Sequence, residues 1–159
     1  MNNSMELKSR LYLAAPLFSS SERSFNILLK NRLSPLFKVY LPQEDGALMP
    51  NLLSSGMSVT QACKVVFKND VDAIRQSELL LIVLDGRTVD EGACFELGMA
   101  YSLSKTCVGL QTDFRRLAPF GNNPMLTGSL SEVFPDVDKL LEWAARWATS
   151  RSFAESVTV

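Results

Sequence analysis

The sequence predicts an α/β protein of the doubly wound, flavodoxin-like kind, a parallel sheet of about five strands with helices on both faces. Three observations carry that expectation. Short apolar runs alternate with stretches of helical period along the chain. The run Leu79-Leu80-Leu81-Ile82-Val83-Leu84 is apolar at every position, as a strand covered on both faces must be. No internal repeat or linker divides the 159 residues, a length that supports one full core and is short for two. Residues 1–159 are therefore expected as a single domain, with 1–9 and 151–159 as loosely ordered tails.

Taken in order, Leu11-Tyr12-Leu13-Ala14-Ala15 reads as a first buried strand ended by Pro16. The cluster Ser19-Ser20-Ser21 supplies an N-cap for a helix whose Phe25, Leu28, Leu29 and Leu33 keep a helical period up to Pro35. Lys38 to Leu41 is a second strand, stopped at Pro42. From Pro42 to Gly56 the mixture of Pro, Gly, Asp, Asn and Ser reads as a long loop. A helix follows from Ser58 to about Gln76, then the strand Leu79–Leu84. The stretch Asp90 to Tyr101, "DEGACFELGMAY", is helical, and Thr106 to Leu110 is the next strand. A Gly/Asn/Pro-rich stretch, Pro119 to Pro124, precedes a short apolar segment and a last helix, roughly Asp136 to Thr149. Trp143 and Trp147, four apart on that helix, read as core or as subunit contact.

Composition narrows the chemistry. There is no histidine, which removes Ser-His-Asp and Cys-His nucleophiles, His-rich zinc sites and imidazole acid/base catalysis. Cys63, Cys94 and Cys107 lack C-x-x-C spacing and read as reduced, small core residues. Net charge is −1 with both signs spread along the chain, so no basic patch points to nucleic acid. The longest apolar run is too short to cross a bilayer, and "MNNSMELKSR" lacks the apolar core of a signal peptide. A cytoplasmic protein without membrane or nucleic-acid partners is expected.

What remains for catalysis is carboxylate chemistry, and three acids stand out. In the Ser58–Gln76 helix, Val59, Cys63, Val66, Phe67, Val71 and Ile74 define an apolar stripe expected to be buried, and Asp70 falls inside it. Asp72 joins Lys64, Lys68 and Arg75 on the polar face, where it can pair with Lys68. Asp70 is either a structural carboxylate holding a loop or a functional one, because an unpaired buried charge costs several kcal/mol, about 3–5, without compensation. Glu96 has Gly92, Ala93, Met99 and Ala100 as helical neighbours, which leaves room for something to approach it. An exposed helix glutamate is the plain alternative. Asp90 reads by default as part of a helix cap, with Thr88 and Glu91 forming a capping box; Asp85, just after the buried strand, reads as a turn residue that by position also faces the ligand crevice.

These residues resemble the nucleoside 2-deoxyribosyltransferase family. The likeness lies in "LYLAAPLF" (Leu11 to Phe18), Asn69-Asp70, "DEGACFELGMAYSL" (Asp90 to Leu103) and "NNPM" (Asn122 to Met125), in order along most of the chain. The resemblance implies exchange of the base of a 2'-deoxynucleoside in two displacements. Glu96 would be the nucleophile, Asp70 would handle the proton of the departing and arriving base, and Tyr12 would orient Glu96. Asp90 would bind a sugar hydroxyl, helped by Asn123 of a neighbouring subunit; Phe18, Leu17, Gly92 and Met125 would complete the substrate contacts. The family implies no cofactor and no metal, small-molecule nucleosides and free nucleobases as partners, and a homo-oligomer built from dimers with a site shared between subunits. Leu17, with Phe18 beside it, stands where some members carry a stacking aromatic residue, and "RSFAESVTV" lacks their terminal tyrosine.

Two rival readings share the architecture. An N-glycoside hydrolase of nucleoside 5'-monophosphates would use the hydroxyls of Ser19 to Ser21 for phosphate, although Asp90 would repel that group. A non-catalytic flavodoxin-like module, receiver or flavin-binding, is the other; a receiver needs acids after the first strand, and "LYLAAP" offers none.

Overall fold

The computed structural model of the protein describes residues 8–113 and 121–156, with side chains through Arg151. Of the tails expected at 1–9 and 151–159, residues 1–7 and 157–159 lie outside the described residues, as does the start of the Pro119 to Pro124 stretch, whereas 151–156 is helical rather than a loose tail. The elements are β1 (Arg10–Ala14), α1 (Ser20–Leu33), β2 (Lys38–Tyr40), α2 (Pro42–Asp45), α3 (Met49–Ser54), α4 (Val59–Gln76), β3 (Leu79–Val83), α5 (Glu91–Ser102), β4 (Thr106–Leu110), α6 (Pro124–Ser129), β5 (Glu132–Phe134) and α7 (Val137–Ser156). All five strands run parallel in the order β2-β1-β3-β4-β5. The chain winds outward from β1 to β2 and then back to β3, so the strand order reverses between β1 and β3. A ligand crevice belongs at the carboxyl ends of those two strands.

Strand alternation sorts the core into two layers. Leu11, Leu13, Leu79, Leu81, Val83 and Val108 pack against Leu29 and Leu33 of α1 and Leu140 and Ala144 of α7. Tyr12, Ala14, Leu80, Ile82 and Cys107 face the other way, onto Ile74 of α4 and Ala93, Leu97 and Ala100 of α5. β3 is buried at all five positions, as its uninterrupted apolar run requires. Tyr12, on the α4/α5 side, is thereby committed to the same layer as the two acids on those helices.

Several local expectations change. The segment from Pro42 to Gly56 folds into two short helices, because Pro42 and Pro50 stand at helix-starting positions where a fixed φ and a missing N–H cost nothing. The apolar residues after Asn123 form α6, which Asn123 caps. Helix α7 continues to Ser156, past the expected end at Thr149, since no Gly or Pro interrupts it and Arg151 pairs with Glu78 at 2.7 Å. The cap of α5 is Asp90 itself, accepting from Ala93 N–H, rather than a Thr88–Glu91 box. Ser19 does cap α1, in a reciprocal box with Glu22.

Two expectations about burial are corrected. Of the three cysteines only Cys107 is core; Cys63 is exposed and Cys94 intermediate. The stripe on α4 is not buried against the sheet. Ala62 and Ile74 are its buried residues, whereas Val59, Cys63 and Phe67 are exposed. The helix meets the sheet layer through Ile74 with Ala73 beside it, and its exposed Phe67 faces Phe95 of α5.

Candidate active site

The groove between α4 and α5 contains a cavity of about 330 Å³ whose walls include Cys63, Val66, Phe67, Gly92 and Phe95 and which reaches both Asp70 and Glu96. That is within the usual range for a small-ligand site. Phe67 and Phe95, one from each helix, stand with ring centroids 6.0 Å apart at its rim, both 57% exposed.

Below the cavity the sheet supplies two phenols. Tyr12, fully buried on β1, donates a hydrogen bond of 2.6 Å to Glu96 Oε1. Tyr40 is the register partner of Tyr12 on β2; the rings stack at 5.4 Å with 19° between planes. Its hydroxyl donates to Asp70 Oδ1 at 3.4 Å. Burial pushes the Tyr12 phenol well above its ordinary range, and the nearby charges of Glu96 and Asp70 push it further. It remains a neutral donor throughout the physiological range.

The two acids are both harder to ionise than in water. Burial raises Glu96 from 4.5 to about 8, the bond from Tyr12 pulling the other way and the charges of Asp70 and Asp90 adding to the rise. Burial likewise raises Asp70 to about 6, opposed by the bond from Tyr40. Two carboxyls with displaced and unequal affinities in one groove are a pattern typical of acid/base and nucleophilic sites.

Asp90 closes the amino end of α5 with Oδ2, 2.8 Å from Ala93 N. A Cβ on Gly92 would come within 3.1 Å of that oxygen, so the glycine leaves the approach to Asp90 open. Asp72 pairs with Lys68 at 2.5 Å on the solvent side of α4, as its spacing predicts. Asp85 is committed elsewhere, accepting from Thr112 N, Thr112 Oγ1 and Asp113 N to join the loops after β3 and β4. The amino end of α1 is also taken: the Glu22 carboxylate accepts from Phe18 N and Ser19 N.

Not all the sequence-derived residues converge. Tyr12, Asp70, Gly92 and Glu96 do, and the charge of Asp90 reaches Glu96. Asn123 and Met125 instead line a separate cavity of about 640 Å³ with Cys94, Gly98 and Tyr101. Met125 is 81% exposed there. Leu17 and Phe18 do not line the Glu96 cavity; Phe18 is 74% exposed, and both backbone carbonyls accept from Arg23. Sequence reasoning missed Tyr40, Phe67 and Phe95 as members of the site. The available signal was the tyrosine at the end of the second strand, one layer from Tyr12.

Among the described residues no helix is long and apolar enough to cross a membrane. The family model described as nucleoside 2-deoxyribosyltransferase matches residues 11–141. A conserved protein from Enterococcus faecalis V583 is 25% identical in structural alignment, with a TM-score of 0.74 over 87% of this chain and 98% of that one. A 2-deoxyribosyltransferase from Bacillus psychrosaccharolyticus is 24% identical, with a TM-score of 0.70 over 84% of this chain and 90% of its own. A CMP N-glycosidase from Clostridium botulinum shares the fold at 20% identity and a TM-score of 0.54, over 87% of this chain and 99% of its own. No curated protein matches the chain in sequence.

Proposed function

Because the chain belongs to the nucleoside 2-deoxyribosyltransferase family, we propose that it exchanges the base of a 2'-deoxynucleoside for another free base by double displacement at Glu96. In the first step Glu96 Oε2 attacks the anomeric carbon as the C–N bond breaks; the bonding pair leaves with the base, which takes a proton from Asp70. The product is a deoxyribosyl ester of Glu96. In the second step a new base attacks the same carbon, gives its proton to Asp70 and releases the carboxylate. Two inversions retain the configuration. Neither step calls on a metal or cofactor.

The observation that carries this reading is the pair of carboxyls facing one cavity, each with one oxygen tied to a tyrosine. Tyr12 holds Oε1 of Glu96 and so leaves Oε2 for attack. Asp90 keeps Oδ2 on its cap and has the other oxygen for a sugar hydroxyl. Asn123 and Met125 belong, in this reading, to the site of a second copy, which fits their distance from Glu96 on their own chain.

A nucleoside suits the site better than its 5'-monophosphate. Asp90 and the other acids would repel a phosphate, and so would the Glu22 carboxylate, which is held beside the Ser19–Ser21 cluster by Phe18 N and Ser19 N. The test incubates the protein with a 2'-deoxynucleoside and a different free base and follows the new nucleoside by chromatography, with the 5'-monophosphate in parallel. Exchange of the nucleoside is expected to exceed base release from the nucleotide. Glu96→Ala should lower exchange by at least about a thousandfold while leaving the fold intact; substantial residual exchange rules Glu96 out as the nucleophile.

A further inference from the structure

The tyrosine on β2 has no role in the chemistry described so far, yet its placement is closely determined. Tyr40 is the register partner of Tyr12, so both side chains leave the sheet on the same face. Stacking at 5.4 Å keeps the rings near the spacing of neighbouring strands, about 4.8 Å. Each phenol then meets a carboxyl from a different helix: Tyr12 meets Glu96 of α5, and Tyr40 meets Asp70 of α4. Space is reserved for the second contact. A Cβ on Gly46, just beyond α2, would sit 3.1 Å from the Tyr40 hydroxyl. Burial, followed by the charges of Asp70, Asp45 and Glu96, holds the Tyr40 phenol proton well above its ordinary range, so it donates and does not ionise.

We propose that Tyr40 is a positioning residue for Asp70, donating to Oδ1 so that the transferable proton resides on Oδ2, and that its stack on Tyr12 sets the separation of Asp70 from Glu96. The inference rests on the exchange reading above. Retaining glycosidases need their two carboxyls about 5–5.5 Å apart, and two stacked phenols on adjacent strands are a ruler of that length. Helices pack with more latitude than hydrogen-bonded strands, so a gauge built on the sheet fixes the separation more tightly than the packing of α4 on α5 alone.

Tyr40→Phe tests this, because the ring and its stack stay in place. With an ordinary deoxynucleoside, kcat should fall on the order of tenfold or more, with KM unchanged within about twofold. With an N7-methylated purine deoxynucleoside, whose base is already cationic and leaves without a proton, base release should be nearly unaffected. Equal losses on both substrates, or no loss on either, overturn the proposal. A second readout needs no turnover: 13C NMR of aspartate-labelled protein, assigned with Asp70→Asn, should place the Asp70 midpoint higher in Tyr40→Phe than in the parent. An unchanged midpoint overturns the proposal whether or not the protein exchanges bases. A raised midpoint in a protein that exchanges none upholds the hydrogen bond and removes the deoxyribosyltransferase reading instead.

Discussion

The Tyr12 hydroxyl lies 2.6 Å from Glu96 Oε1, joining a strand and a helix 84 residues apart in the chain. That contact ties the most buried phenol of the sheet to the carboxyl most resistant to ionisation among the acids of the groove.

Its first consequence concerns pH. Glu96 is pushed up to about 8 and Asp70 to about 6, so between those values the pair holds one proton. The proposed exchange needs Glu96 ionised and Asp70 protonated, the minor arrangement of that single proton, since Glu96 holds it more tightly than Asp70; its share still peaks between the two values. Below about 6 both are protonated, and above about 8 neither is. A bell-shaped profile of kcat/KM with a maximum near 7 is expected. Tyr12→Phe removes a bond that favours the Glu96 carboxylate, so the alkaline limb should move upward and the maximum should drop by about tenfold or more. A profile without an acid limb, or a Tyr12→Phe limb that moves down, contradicts this assignment.

The same carboxyl costs stability. Glu96 has a folded pKa above its unfolded value, so the native state binds more protons than the unfolded chain between about 4.5 and about 8. Stability therefore falls as pH rises through that window. Glu96→Gln removes the penalty. Its advantage should be small at pH 5 and, at pH 8, on the order of 2 kcal/mol after allowance for solvent screening. That corresponds to a rise in Tm of about 4–8 °C. Thermal unfolding at the two pH values measures it, and an advantage larger at pH 5 would reverse the sign.

Shared sites give a complementation test. If Asn123 serves a neighbour, Glu96→Ala and Asn123→Ala chains should each be inactive or weak alone and should regain activity when unfolded and refolded together. Up to about a quarter of the sites in a randomly mixed dimer would then carry both wild-type groups. Light scattering should report a mass above the monomer's 17.6 kDa. No recovery on mixing would rule out Asn123 as a residue of the neighbour's site.

Strands β1 to β4 and the two long site helices were legible because their periods differ and because β3 is apolar at every position, whereas β5, three residues long, shows no period. The acids of the site were legible as charges in apolar company: Asp70 among Phe67 and Ile74, Glu96 among Gly92, Ala93 and Ala100. What escaped depended on contacts between distant segments. The α4 stripe suggested burial, but the sequence does not show that Ile74 meets the sheet while Phe67 is left at the rim of a groove. Tyr40 looked like an ordinary strand aromatic until the register put it opposite Tyr12. Short helices such as α2 and α6 are too brief to show a period, and their prolines read equally well as strand or loop punctuation.

The apolar walls of the groove and the tyrosines beneath it come from separate parts of the architecture. Phe67, Phe95 and Cys63 project from helix surfaces, whereas Tyr12 and Tyr40 are anchored in neighbouring strands. In the proposed exchange, choice of base and bond-breaking would accordingly be modular: substitutions along the α4 and α5 rim would retune which bases enter, while the tyrosine pair of the sheet would keep the spacing of the reacting groups.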